Sequence, residues 1–171
     1  MKKLIVSVLF VTTAALAQTV NPVSTALKAN LARSAKNMVA AAEEMPADKF
    51  SYAPTPESMT FGQLTLHVAT SNQGLCHLIS GTPAPAKITL TKDSPKDQLV
   101  AALKSAFDYC TTSLANLDDS KLGSEVSMGS RTMTQAALIL TTSDDWADHY
   151  SQQAAYLRLN GLLPPTAQKK K

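Results

Sequence analysis

The chain has 171 residues, 16 of them basic and 13 acidic, a formal net charge of +3 and two cysteines. That length suits one ordinary domain able to bury a proper core. Lys and Arg are not clustered into the basic field that phosphate backbones require, which argues against a nucleic-acid partner.

The first segment is an address. Lys2 and Lys3 precede an apolar run from Leu4 to Leu16, and Ala15-Leu16-Ala17 offers the small residues that signal peptidase needs. This predicts a signal peptide over 1–17, cut before Gln18. The run is shorter than the roughly 20 residues of a membrane span, and no cysteine follows it for lipid attachment. The mature chain is therefore expected in the periplasm or outside the cell, with no membrane partner after cleavage. Its domain spans 18–165, and 166–171 form a basic tail ending in Lys169-Lys170-Lys171. In an oxidising compartment Cys76 and Cys110 are expected to pair. Such a disulfide would stabilise the fold by about 3–4 kcal/mol in the chain-entropy account. A reactive thiol pair or metal ligation is the alternative.

Helix 1 opens near Pro22, carries Val23, Leu27, Leu31, Met38 and Met45 at helical intervals, and ends at Pro46. The prolines of Phe50-Ser51-Tyr52-Ala53-Pro54-Thr55-Pro56 forbid a helix there. Helix 2 has a full start signature: Thr60 caps, Gln63 completes a capping box, and Met59 with Leu64 forms a hydrophobic staple. It runs to Ser80, stopped by Gly81 and Pro83, and a long polar crossover follows. Helix 3 starts at Ser94-Pro95 with the stripe Leu99, Leu103, Phe107, Cys110, Leu114 and Leu117. A second Thr-x-x-Gln box, Thr132 to Gln135, opens helix 4, which should reach Asn160 before Gly161 and Pro164-Pro165. No segment alternates with period two over a strand's length. The expectation is an all-α four-helix bundle with a long crossover between helices 2 and 3. The pattern from Thr60 to Ser71 echoes that from Thr132 to Ser143, which is read as shared capping chemistry.

Candidate chemistry lies on helices 2 and 4. Asp145 and His149 are four apart and share a face. They belong to the line Leu138, Asp145, His149, Gln152, Tyr156 and Leu159, a core-like stripe with a polar middle. Burying an unpaired carboxylate or imidazole costs several kcal/mol, so such a middle needs a partner or a ligand. The competing face, Ile139, Trp146, Tyr150 and Leu157, is apolar and could equally be the buried one. His67 sits in an apolar turn roughly 10 Å into helix 2, and His149 roughly 16 Å before the end of helix 4. If these helices are antiparallel neighbours, His67, Asp145 and His149 converge as three metal ligands with open positions. Gln152 and Tyr156, one and two turns on, could contact substrate. His77 is roughly 15 Å from His67 along the helix, too far to join. No nucleophile elbow, P-loop or dinucleotide fingerprint is present.

These residues carry a resemblance. Met45-Pro46-x-x-Lys49-Phe50-x-Tyr52-x-Pro54-Thr55-Pro56-Glu57 leads into Thr60-Phe61-Gly62-Gln63-Leu64-x-x-His67-Val68-Ala69, and later come His149-Tyr150-Ser151-Gln152 and Tyr156-Leu157-Arg158-Leu159-x-Gly161. Together they resemble the DinB-like superfamily, in particular its exported bacterial members, over essentially the whole mature chain. The resemblance implies a bundle whose helix 2 histidine and helix 4 His-x-x-x-His pair bind a divalent metal. His67 matches the first ligand and His149 the last, while the middle position is Asp145. A two-His-one-carboxylate set suits iron, manganese, zinc or nickel. Some relatives are thiol transferases and others are regarded as metal-dependent hydrolases. Small cytoplasmic thiols are scarce after export, which argues against thiol transfer here.

Two functional readings follow. One is a metal-dependent hydrolase or transferase acting on an unknown small molecule. The other is a metal-free helical binding or scaffold protein in which Asp145 marks a lost site. Bundles of this class often pair, so a homodimer is also an expectation, although no residue signals it.

Overall fold

The computed structural model describes residues 20–169. The expected signal peptide and its expected cleavage before Gln18 lie outside the described residues, as do Lys170 and Lys171. Four α-helices carry the fold: α1 (Pro22–Glu44), α2 (Phe61–Ser80), α3 (Lys96–Ser113) and α4 (Gln135–Leu159). They form the expected bundle. Between α3 and α4 stands a small antiparallel hairpin, β1 (Glu125–Met128) with β2 (Arg131–Thr134). No sheet is expected from the sequence. Its strands are four residues each, too short for a period-two pattern to register, and only their turn betrays them. Gly129, at φ +63°, occupies the first of two central positions, the place where a two-residue hairpin loop favours glycine.

Contacts at the helix ends fix the directions. The backbone N–H groups of Val23 and Ser24, at the start of α1, donate to the Asp119 carboxylate at 2.9 and 2.8 Å, just beyond the end of α3. At the other end of the bundle Lys96 Nζ, opening α3, donates to the carbonyls of Glu43 and Met45 at the close of α1. The Tyr156 hydroxyl, near the end of α4, donates to the Met59 carbonyl just before α2, at 2.8 Å. So α1 and α4 run one way and α2 and α3 the other. The crossover over residues 81–95 makes α2 and α3 parallel, and Cys76 is bonded to Cys110 near the C-terminal ends of both. The expected disulfide is formed, with both cysteines buried.

The core is built from the anticipated stripes. Leu27, Leu31 and Met38 of α1, and Leu99, Leu103, Phe107 and Cys110 of α3, are buried, as is Leu114 just beyond α3. Trp146 of α4 lies wholly inside, its indole N–H donating to Asn72 Oδ1 of α2 at 2.7 Å. Fully burying one such large side chain stabilises by about 1.5–3 kcal/mol, provided its polar atom is satisfied.

The starts of the two site-bearing helices are set by capping. Thr60 Oγ1 accepts from the Gln63 N–H and Gln63 Oε1 accepts from the Thr60 N–H, the capping box expected for α2. The corresponding box at α4 is not formed. Thr132 lies in β2, paired with Ser127, and Thr134 caps instead, accepting from the Ala137 N–H at 3.2 Å. The hairpin claims Thr132 for its ladder, and the echo between the two helix starts ends there. Helix α4 begins at Gln135 and stops at Leu159, shorter than anticipated.

Candidate metal site

The segment between α1 and α2 seats the first candidate ligand. Phe50 and Phe61 pack edge to face at 5.2 Å, and Phe61 also lies 6.2 Å from the Tyr156 ring. The Phe61 and Gly62 N–H groups donate to the carbonyls of Tyr52 and Phe50 at 2.9 and 2.8 Å. A β-carbon on Gly62 would stand 2.8 Å from the Lys92 carbonyl oxygen of the crossover, so glycine allows three backbones to meet here. These contacts lock the first turn of α2, and His67 follows two turns later.

On α4 the buried face runs between the two stripes read from the sequence. Trp146 lies near its centre, with Gln135, Thr142 and Gln153, while His149 and Tyr156 form its α2-facing edge. Asp145 is half-buried at that edge, Gln152 is partly exposed, and Leu159 is exposed. Antiparallel α2 and α4 bring their polar edges together. The potential ligand atoms of His67, Asp145 and His149 all lie within 4.8 Å of one another. His149 Nε2 is 3.3 Å from Asp145 Oδ1, and the rings of His67 and His149 meet edge to face at 4.8 Å. His149 is the most buried of the three, and His67 and Asp145 are partly open to solvent.

Donors bound to one ion at about 2.1 Å in a tetrahedral arrangement stand about 3.4 Å apart. The Asp145–His149 pair already meets that spacing, and bringing His67 to it takes a closure of at most about 1.4 Å from the present 4.8 Å limit. Asp145 Oδ2 and His149 Nδ1 are buried and have no hydrogen-bond partner among the described residues. A cation would offset the carboxylate's charge, and a ring N–H at Nδ1 would leave Nε2 free as ligand. The donor set fits a divalent ion. The hydrogen bond to Asp145 raises the His149 pKa above its usual value; burial opposes this, and the charges of Asp145 and Asp148 add to it.

The remaining candidates are placed otherwise. Gln152 Nε2 donates to Asp148 Oδ2 at 2.8 Å, and the Tyr156 hydroxyl is engaged by Met59. His77 Nδ1 lies 2.7 Å from the Thr82 carbonyl oxygen at the C-terminal end of α2, remote from the cluster. Three neighbours escape a reading of the sequence. Asp148 Oδ2 lies 3.8 Å from His149 Nδ1. Ser71 Oγ lies 3.4 Å from His67 Nε2. Gln153, one turn beyond His149, is wholly buried with neither amide atom paired among the described residues. The i, i+4 spacings His67–Ser71 and His149–Gln153 were the signal available.

A four-helix bundle with a His/Asp/His cluster between two antiparallel helices is the class this architecture defines. The sequence profile of the DinB superfamily matches residues 30–153, and the chain belongs to that superfamily. Its fold is similar to the crystal structure of a DinB-like protein from Bacillus subtilis, at 22% identity and a TM-score of 0.68, covering 85% of this chain and 99% of that one. A DinB-like protein from Bacillus cereus is similar at 13% identity and a TM-score of 0.69, over 82% of this chain and 95% of that one. No curated protein matches the chain.

Proposed function

We propose that this is an exported protein that binds one divalent cation through His67, Asp145 and His149 and acts with it on a small molecule, as a hydrolase or transferase. The observation that carries this reading is the convergence of three donor atoms from two helices, two of the residues presenting buried polar atoms that have no partner among the described residues. Export accords with the leader-like first 17 residues and with the buried disulfide. Two histidines and one carboxylate suit zinc, iron, manganese or nickel.

When bound, the cation would lower the pKa of a coordinated water or polarise a substrate oxygen. The chain's own residues do the positioning. Asp145 and His149 already stand 3.3 Å apart with Oδ1 facing Nε2, Ser71 lies beside His67 Nε2, and the capping box keeps the first turns of α2 from fraying. Gln152 and Tyr156 remain the substrate contacts of this reading, each releasing its present hydrogen bond to do so.

Elemental mass spectrometry of the untagged, exported protein tests the proposal. Near-stoichiometric metal is expected, and His67→Ala and His149→Ala should each lose it with little unfolding. Metal content unchanged in both variants would remove the site.

A second reading is a metal-free scaffold, favoured by the direct 3.3 Å contact of Asp145 with His149, which partners the two groups without an ion. It predicts that a chelator leaves the melting temperature where it was. A large drop, restored by one divalent metal, would contradict it.

A further inference from the structure

The charges around the cluster say what kind of molecule could complete it. Helix α2 carries no Lys, Arg, Asp or Glu along its whole length. Helix α4 carries Asp144, Asp145 and Asp148 against a single base, Arg158, whose guanidinium donates to the Ala154 carbonyl of its own helix at 3.4 Å. Two of those carboxylates flank His149, Asp145 at 3.3 Å from one ring nitrogen and Asp148 at 3.8 Å from the other. The Gln152 amide also donates to Asp148. Among the described residues, no Lys or Arg nitrogen lies within 4.0 Å of either carboxylate. The Lys–acid pairs are Lys49–Asp48, Lys92–Asp93 and Lys104–Glu43, on other parts of the molecule.

A divalent ion held by two neutral imidazoles keeps its double positive charge and draws anions. Here Asp145 would remove one unit within the ligand set, and Asp148, two-thirds exposed beside the far ring nitrogen, would offset part of the other. An anion entering such a site gains less Coulomb attraction than at an ion held by imidazoles alone, while an uncharged molecule is indifferent to the change and a positively charged one meets less repulsion. We infer that the metal site of this chain selects uncharged or amine-bearing small molecules and discriminates against phosphates, carboxylates and thiolates, with Asp148 as a specificity-determining residue. The inference rests on the proposal that His67, Asp145 and His149 hold a metal. It also gives a reason within the protein itself, apart from export, why anionic thiols are poor partners.

The test uses the mature protein loaded with Co²⁺, whose visible bands report on ligands entering its coordination sphere. Sodium azide serves as the anionic probe and imidazole as the neutral one. Asp148→Asn should leave cobalt stoichiometry unchanged, tighten azide binding severalfold and leave imidazole affinity where it was. Asp148→Lys should carry the azide effect further. Asp144→Asn makes the same change of charge one turn before Asp148, about 6 Å along the helix and about 40° around it, at a carboxylate that lies against neither histidine, and should alter both affinities far less. Stoichiometric cobalt with azide affinity unmoved by Asp148→Asn and Asp148→Lys would overturn the inference while the metal site stands. An equal gain in Asp144→Asn would overturn it as well, by showing a net-charge effect. Failure to bind cobalt at all would remove the metal reading and the inference together.

Discussion

At the scale of single residues, His149 and Gln153 make the sharpest predictions. The folded-state pKa of His149 is raised, chiefly by its bond to Asp145. In the metal-free protein this interaction contributes stability that is fully present below the unfolded value of about 6.5 and is lost as pH rises through the raised folded value. Metal needs the neutral ring, so metal affinity moves the other way and rises over the same window. Denaturant midpoints of the metal-free protein and zinc affinities across neutral pH should therefore slope in opposite directions, and parallel slopes would contradict the assignment. Gln153 sits wholly inside with both amide atoms unpaired among the described residues. A buried unsatisfied polar group costs about 1–3 kcal/mol, and Met has nearly the same volume. Gln153→Met should raise the unfolding free energy read from urea titration by an amount of that order. A fall would mean that the amide is satisfied in solution, by a buried water for instance. His67, Asp145 and His149 were legible in the sequence because spacing and helix level can be counted. Asp148 and Gln153 were not, since whether they face a neighbour or solvent depends on how α4 is rotated about its axis.

At the scale of elements, the helices were legible and their joints less so. The box at Thr60 and Gln63 is purely local, four residues closing two hydrogen bonds, and it appears as read. The similar pattern at Thr132 and Gln135 is overridden because β2 pairs Thr132 with Ser127 and the helix starts two residues later. Substituting Thr134 by Ala should cost about 1 kcal/mol, as loss of a cap does, while Thr132→Ala should cost distinctly less. Thermal or urea unfolding of the two variants compares them directly. The hairpin itself eluded the period-two test because its strands are short and their side chains only half-covered. Its one local signal is Gly129-Ser130 between them, a pair suited to a two-residue loop. The start of α1 is similar in kind: its N–H groups are satisfied by Asp119, nearly a hundred residues on, and no window of sequence contains both partners.

At the scale of the whole molecule, the disulfide joins the C-terminal ends of two parallel helices, closing a loop of 34 residues. In the chain-entropy account that restriction of the unfolded chain is worth about 3–4 kcal/mol. Reduction should lower the melting temperature accordingly, and alkylation of the native protein should find no free thiol. Two freely alkylated cysteines would contradict the pairing. The sequence by itself determined the helical class, the stripes that line the core, the cap of α2, the pairing of the cysteines and the identity of three converging side chains. All of these depend on spacing along one helix or on the count of one residue type, and spacing is preserved however the helices pack. Only the tertiary structure decided that α4 buries the strip between its two amphipathic lines, that Thr132 belongs to a strand, and that two carboxylates rather than one stand beside His149. Those outcomes depend on rotation and pairing between elements, where free energy is shared among many distant partners and no local pattern records it.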